Sequence, residues 1–255
     1  MRISLIRSRS ILFALAVLAV CLELRPDAPL QQPSGLAALP HVALWSWERR
    51  EDLRTADPHR FAIASLDQTV TIGVTVRSQP RRDALVYPAA ARRISVVRIE
   101  TTKPAVLDEE AREQVVAALL ASASQPGIAA LQVDFDATES QRPFYRAVLV
   151  DLRHQMPPGL PLSMTALASW CSFDNWIHDL PVDEAVPMFF RMEPDRRRAP
   201  ANLEAFQIRE TLCQTSVGVS TDEPWPPDTA GKHIYVFPDH GWNARTLATF
   251  QRRLP

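Results

Sequence analysis

The chain has 255 residues, a formal net charge of −1, and 7 glycines against 22 prolines. A near-neutral balance with no basic stripe excludes a nucleic-acid partner, and the Arg196–Arg198 run reads as a solvated loop. With so little glycine there is no G-x-G-x-x-G turn and no Walker-type lysine, so no nucleotide or other cofactor is expected.

Residues 1–24 have the layout of an export signal. Arg2, Arg7 and Arg9 precede an apolar core, Ile11–Leu22, that Glu23 ends. That core is shorter than the roughly 20 residues a membrane span needs, which predicts a signal peptide or a short N-terminal anchor. Leu18-Ala19-Val20-Cys21 matches a lipobox poorly. The mature protein is expected in the periplasm, or anchored facing it, with membrane contact only through this segment. Residues 25–40 form a Pro-rich linker, and 41–255 are expected to fold as one domain. Two cysteines then remain, Cys171 and Cys213, and an oxidising compartment predicts that they pair.

A first strand is expected from His41 to Trp47, with Trp45 and Trp47 on one face. Phe61–Leu66 is the second, ending at Asp67. Thr69–Arg77 is a candidate extra strand, 81–93 reads as loop or short helix, and Ile94–Ile99 is a β-branched strand. A helix is expected over Asp108–Ser122, with acids in its first turn where the helix dipole favours them. Next comes the apolar run from Ile128, which delivers Asp134 and Asp136 and then Glu139. A helix from Pro143 to Gln155 follows. Further strands are expected at Leu162–Ala168, Glu184–Phe190, Ser216–Val219 and His233–Phe237. Asp174–Leu180 is loop or short helix, and helices are expected over Asn202–Leu212 and Leu247–Arg253. Eight apolar strands alternating with helix-length segments predict an α/β fold. A (β/α)8 TIM-barrel-like domain with some short or missing helices is expected, with a doubly wound open sheet as the alternative.

In either fold the chemistry lies at the C-terminal ends of the strands. Residues two apart in a strand share a face, so Asp134 and Asp136 should project together, repel, and titrate as a coupled pair with one value raised. Other strand ends carry Trp47 and Glu48, Asp67, Glu100, Ser169 and Trp170, Arg191, Thr221 to Glu223, then Asp239, His240 and Trp242. Carboxylates interleaved with tryptophans suit a sugar site, where acids move protons and indole faces stack on pyranose rings. Asp134, Asp136 and Glu139 are the candidate catalytic residues. Trp45, Trp47, Trp170, Asp174, Arg191, Asp239, His240 and Trp242 are the candidate substrate contacts. An oxygen-rich cation site built from the aspartates with Asp239 or His240 is a competing account, although no H-x-H or H-E-x-x-H spacing marks a metal.

V-D-F-D-A-T-E resembles the fourth-strand motif D-x-x-D-x-D-x-E of family 18 glycoside hydrolases. In that family the glutamate is the general acid and the aspartate two before it orients the substrate. By position Asp134 and Asp136 match the second and third aspartates. Leu131 replaces the first, Glu139 stands one residue late, and Phe190 stands where a sixth-strand tyrosine is expected. A closer resemblance lies in L-S-M-T-A-L-A-S-W-C at 162–171, in Asp174 and Trp176, and in L-P-V-D-E-A-V-P-M-F-F-R-M at 180–192. These are similar to an uncharacterised family of bacterial exported proteins, domain of unknown function 3142, which implies a sugar-hydrolase-like barrel. The expectation is a protein acting on or binding an envelope or extracellular polysaccharide. A non-catalytic glycan-binding or envelope-assembly protein and a divalent-metal deacetylase are the alternatives. Oligomeric state is left open.

Overall fold

The computed structural model describes residues 35–192 and 207–254. The predicted export segment, most of the linker, Arg196–Arg198 and the first half of the helix expected over Asn202–Leu212 lie outside them. In chain order the strands are β1 (Val42–Ser46), β2 (Glu51–Asp52), β3 (Phe61–Ile72), β4 (Val76–Pro80), β5 (Leu85–Val86) and β6 (Arg93–Thr101). They continue with β7 (Ile128–Asp134), β8 (Leu162–Leu167), β9 (Glu184–Met188), β10 (Ser216–Ser220) and β11 (His233–Phe237). The helices are α1 (Glu109–Ala123), α2 (Arg142–Gln155), α3 (Ala168–Ser172) and α4 (Ala244–Gln251). Among the described residues no helix is long and apolar enough to cross a membrane.

Eight parallel strands, β1-β3-β6-β7-β8-β9-β10-β11, pair in sequence, and β11 returns to β1. This closure makes the fold a (β/α)8 barrel rather than an open sheet. Helices follow β6, β7 and β11, while α3 after β8 is only five residues. The candidate extra strand over Thr69–Arg77 is divided: Thr69–Ile72 continue β3, and after residues 73–75 the chain returns as β4, antiparallel to β3, while β5 pairs with β2. β3 itself does not stop at Asp67. A bulge between Leu66 and Gln68 turns Asp67 into the helix layer, where it accepts from Ser122 Oγ (2.5 Å) and Gln125 Nε2 (2.7 Å). Asp67 is therefore absent from the rim. The helix ends follow local chemistry: Asp108 caps α1 by accepting from the Ala111 N–H, and Pro143 sits in the first turn of α2.

Strand alternation divides the core into inside and outside. Ala43, Trp45, Ala62, Ala64, Ile94, Val96, Ala130, Val186, Tyr235 and Phe237 form the cluster inside the barrel. Small residues on β1, β3 and β7 make room for the three large aromatics. Gly218 on β10 belongs to this fit, because a Cβ there would stand 3.3 Å from the Phe237 ring and 3.4 Å from the Pro187 carbonyl. Leu36 and Leu39 are buried in the same cluster, so the packed region includes the last residues of the expected linker. The interior is also polar: Trp45 Nε1 donates to Gln132 (2.8 Å), Gln132 Nε2 donates to Ser163 (3.0 Å), and the Tyr235 hydroxyl donates to buried Glu184 (2.5 Å). Burial, reinforced by the Glu184 carboxylate, pushes the Tyr235 hydroxyl well above the ordinary tyrosine value.

Candidate functional site

β7 ends on Asp134, and its alternation puts Gln132 and Asp134 inward while Leu131 and Val133 pack against the helices. Asp136 lies two residues beyond the end of β7, and its carboxylate approaches the same guanidinium as Asp134. They are not left to repel each other. Arg98, paired in register with Asp134 from the neighbouring strand β6, puts Nη1 2.7 Å from Asp134 and Nη2 3.8 Å from Asp136, while its Nε lies 2.7 Å from Glu100. Asp134 Oδ1 accepts the Thr165 hydroxyl at 2.7 Å. Both Asp134 oxygens are thus engaged, and the residue is 2% exposed; the Asp136 side chain is 48% exposed. Burial works against the charge on Arg98, but Asp134, Glu100 and Asp136 together outweigh it and raise the guanidinium above its ordinary value. Beneath the pair, burial pushes the Tyr145 hydroxyl up, and the two aspartates push it further. The bare like-charge pair expected from spacing is in fact a guanidinium bridging carboxylates.

Arg98 also lies over the Trp47 ring, 5.6 Å from its centroid, a cation–π geometry. Trp47 is half-buried and packs on Trp45 (4.2 Å between centroids), which in turn stacks on Phe237 (4.8 Å). Trp47 is therefore the solvent end of an aromatic column rooted in the barrel. Of the four tryptophans expected as substrate contacts it alone is not buried. Trp45 is fully buried because the barrel interior is packed, not open. Trp170 lies on α3 within the outer core, edge-on to Trp176. Trp242 is folded under, its Nε1 donating to the Trp45 carbonyl at 2.8 Å.

Glu139 is exposed in a 3-10 turn, Glu139–Gln141, beyond Asp136. Asp174 is drawn to α2 by Arg142 (2.6 Å) and lines a separate cavity of about 530 Å³ beside Cys171. Cys171 and Cys213 form the expected disulfide, with Cα atoms 5.9 Å apart. On the far side of the rim Arg191 adopts φ 50. It is held there by Glu223, which accepts its N–H (3.0 Å), and by Asp239, which accepts from Nη2 (3.0 Å). A left-handed arginine fixed from two neighbouring strand ends suits a functional position. His240 is exposed and pairs with Asp239 at 2.9 Å. Asp239, His240 and Trp242 border a cleft of about 510 Å³. Among the described residues no three His, Cys, Asp or Glu side chains converge as a metal-binding set.

Sequence reasoning missed Arg98, Glu51 and Trp225. Arg98 has the same parity as inward-facing Ile94 and Val96, which was the available signal. Glu51 follows β1, is 2% exposed, and accepts from the Ser46 hydroxyl and from the Trp242 N–H (3.1 Å). It anchors the loop after β11, where Gly241 is needed: a Cβ there would stand 2.8 Å from Glu51 Oε1, and its φ is 80. Burial raises the Glu51 carboxyl above its ordinary value despite those hydrogen bonds and the nearby Arg49 and Arg81. A raised folded-state value stabilises at low pH and loses that contribution as pH rises through it. Glu51→Gln should therefore gain on the wild type in melting temperature as pH climbs from about 4.5 towards 7. Parallel thermal melts check this, and a constant difference across that range would contradict it.

Residues 90–186 match the family model of a domain of unknown function, DUF3142. The matched stretch holds Arg98, Asp134, Asp136, Glu139 and Cys171. Neither the curated proteins nor the solved structures include a match to this chain.

Proposed function

We propose that this is an exported, glycoside-hydrolase-like barrel that takes an envelope or extracellular polysaccharide across its C-terminal mouth. The observation that carries the reading is a half-exposed carboxylate, Asp136, beside a guanidinium that lies over the ring of half-buried Trp47. A pyranose ring on that indole puts its hydroxyls within the reach of Arg98 and Asp136. Asp134 is the fixed counter-charge that sets Arg98. Asp136 and Glu139 are the acid/base candidates, and Arg191 with Asp239 and His240 borders the far rim. The buried disulfide is in keeping with export.

Non-catalytic glycan binding is the second reading. It is favoured by the commitment of both Asp134 oxygens to Arg98 and Thr165, which leaves fewer carboxylates for catalysis. A screen of polysaccharides for release of reducing ends separates the two. Catalysis predicts that Asp136→Asn lowers turnover by at least about a hundredfold, the scale of general acid–base assistance. Binding without product favours the second reading, and turnover that is unchanged in Asp136→Asn removes Asp136 from the chemistry.

A further inference from the structure

The cleft of about 510 Å³ between the loop after β10 and helix α4 meets the far rim at Asp239 and His240 but includes none of Asp136, Arg98 and Trp47. Its size is that of a small-ligand site. The aromatic surface belongs to Trp225, half-buried, whose Nε1 donates to the Ser220 carbonyl at 2.9 Å and so fixes the plane of the indole. Phe250 backs it at 6.1 Å between centroids, and Trp242 backs Phe250 at 5.6 Å. A half-buried indole fixed by a hydrogen bond and packed on buried aromatics thus lines the cleft.

The charged walls are balanced. Asp222, Glu223 and Asp239 line the cleft together with Arg245 and Arg253, while Arg191 holds both Glu223 and Asp239. Asp222 accepts the Ser220 hydroxyl, and Arg253 donates to the Thr221 carbonyl at 3.2 Å. In many (β/α)8 barrels the loops after the last two strands and a helix N-terminus hold a phosphate. Here that position is already filled, because Asn243 accepts the N–H groups of Arg245 (2.9 Å) and Thr246 (3.1 Å) at the start of α4. An anion would find the helix end capped and three carboxylates nearby. An uncharged sugar unit meets what it needs: an aromatic face for its C–H surface, and fixed donors and acceptors for its hydroxyls.

We infer that this cleft is a second carbohydrate subsite, for a neutral sugar unit stacked on Trp225. The inference rests on the carbohydrate reading of the mouth, from which the test separates it. Cellohexaose, maltohexaose, chitohexaose and inorganic phosphate are titrated calorimetrically into the full chain and its variants. One neutral hexasaccharide should bind both the wild type and Trp47→Ala. Trp225→Ala in the Trp47→Ala background should weaken that binding about tenfold or more, the scale of one lost aromatic contact. Trp225→Phe, which keeps an aromatic face, should restore most of it, and a melt of each variant reports folding. Unchanged affinity in the double variant overturns the subsite. Loss on Trp47→Ala alone overturns it too, but leaves the mouth standing. Binding of phosphate in place of every hexasaccharide overturns the ligand class. Failure of all three sugars overturns the subsite, while hydrolysis of polysaccharide still decides the mouth.

Discussion

Replacing Cys171 and Cys213 together by alanine should lower the free energy of unfolding by about 4 kcal/mol, the chain-entropy value for a loop of this length. The two cysteines are 42 residues apart, and both are buried. The bridge ties the end of α3 to the segment entering β10, a part of the barrel wall where α3 supplies only five helical residues. The same segment is also held without the bridge: the N–H groups of Arg209 and Glu210 donate to the Cys171 carbonyl at 2.9 and 3.1 Å, and Ile208 and Leu212 pack against the outer core. Without the covalent link only non-covalent contacts such as these join the described residues before β10 to the end of α3. Urea unfolding of the oxidised wild type and the double variant measures the difference, and a drop below about 1 kcal/mol would mean that the outer layer holds itself.

Asp134→Ala should cost about 3 kcal/mol, whereas Asp136→Asn should stay within about 0.5 kcal/mol of the wild type. The contrast follows from burial. Asp134 is enclosed and engages Arg98 and Thr165 through separate oxygens, so truncating it leaves a three-quarters-buried guanidinium without its buried counter-charge. The value is set at the low end of the range for broken buried pairs because that guanidinium keeps Glu100 and some solvent. The Asp136–Arg98 pair is longer, at 3.8 Å, and its carboxylate is half-exposed, and such a pair contributes little to stability. Thermal or urea melts of the two variants give the comparison. Equal losses would make Asp136 a scaffold residue and remove the basis for its functional role.

The barrel was readable from the chain because strands buried on both faces appear as apolar, β-branched runs. The eight starts expected near 41, 61, 94, 129, 162, 184, 216 and 233 fall at 42, 61, 93, 128, 162, 184, 216 and 233. Ring closure was not readable as pattern, since it lies in the pairing of β1 with both β3 and β11. The site was half legible. Parity put Asp134 and Asp136 on one face, but the residue bridging them comes from another strand: parity marks Arg98 as inward-facing, and the register of β6 against β7 is what sets it beside Asp134. Strand-end position also says nothing of depth. Trp45 and Trp47 share a face, yet two residues along β1 separate a core side chain from a rim one. Trp242 lies just past β11 and is still buried, packed with Leu247 and Phe250 of α4, because Glu51 and Gly241 fix its loop. Asp67 left the rim through a bulge that no local pattern announced.

The mouth reading is tested most directly by locating a bound oligosaccharide in crystals of the Asp136→Asn variant, where hydrolysis would be suppressed. The account predicts a sugar ring stacked on Trp47, with its hydroxyls bonded to Arg98 and to the residue at position 136. A ligand seated only in the Trp225 cleft, or bound elsewhere with the Trp47 face bare, would contradict it.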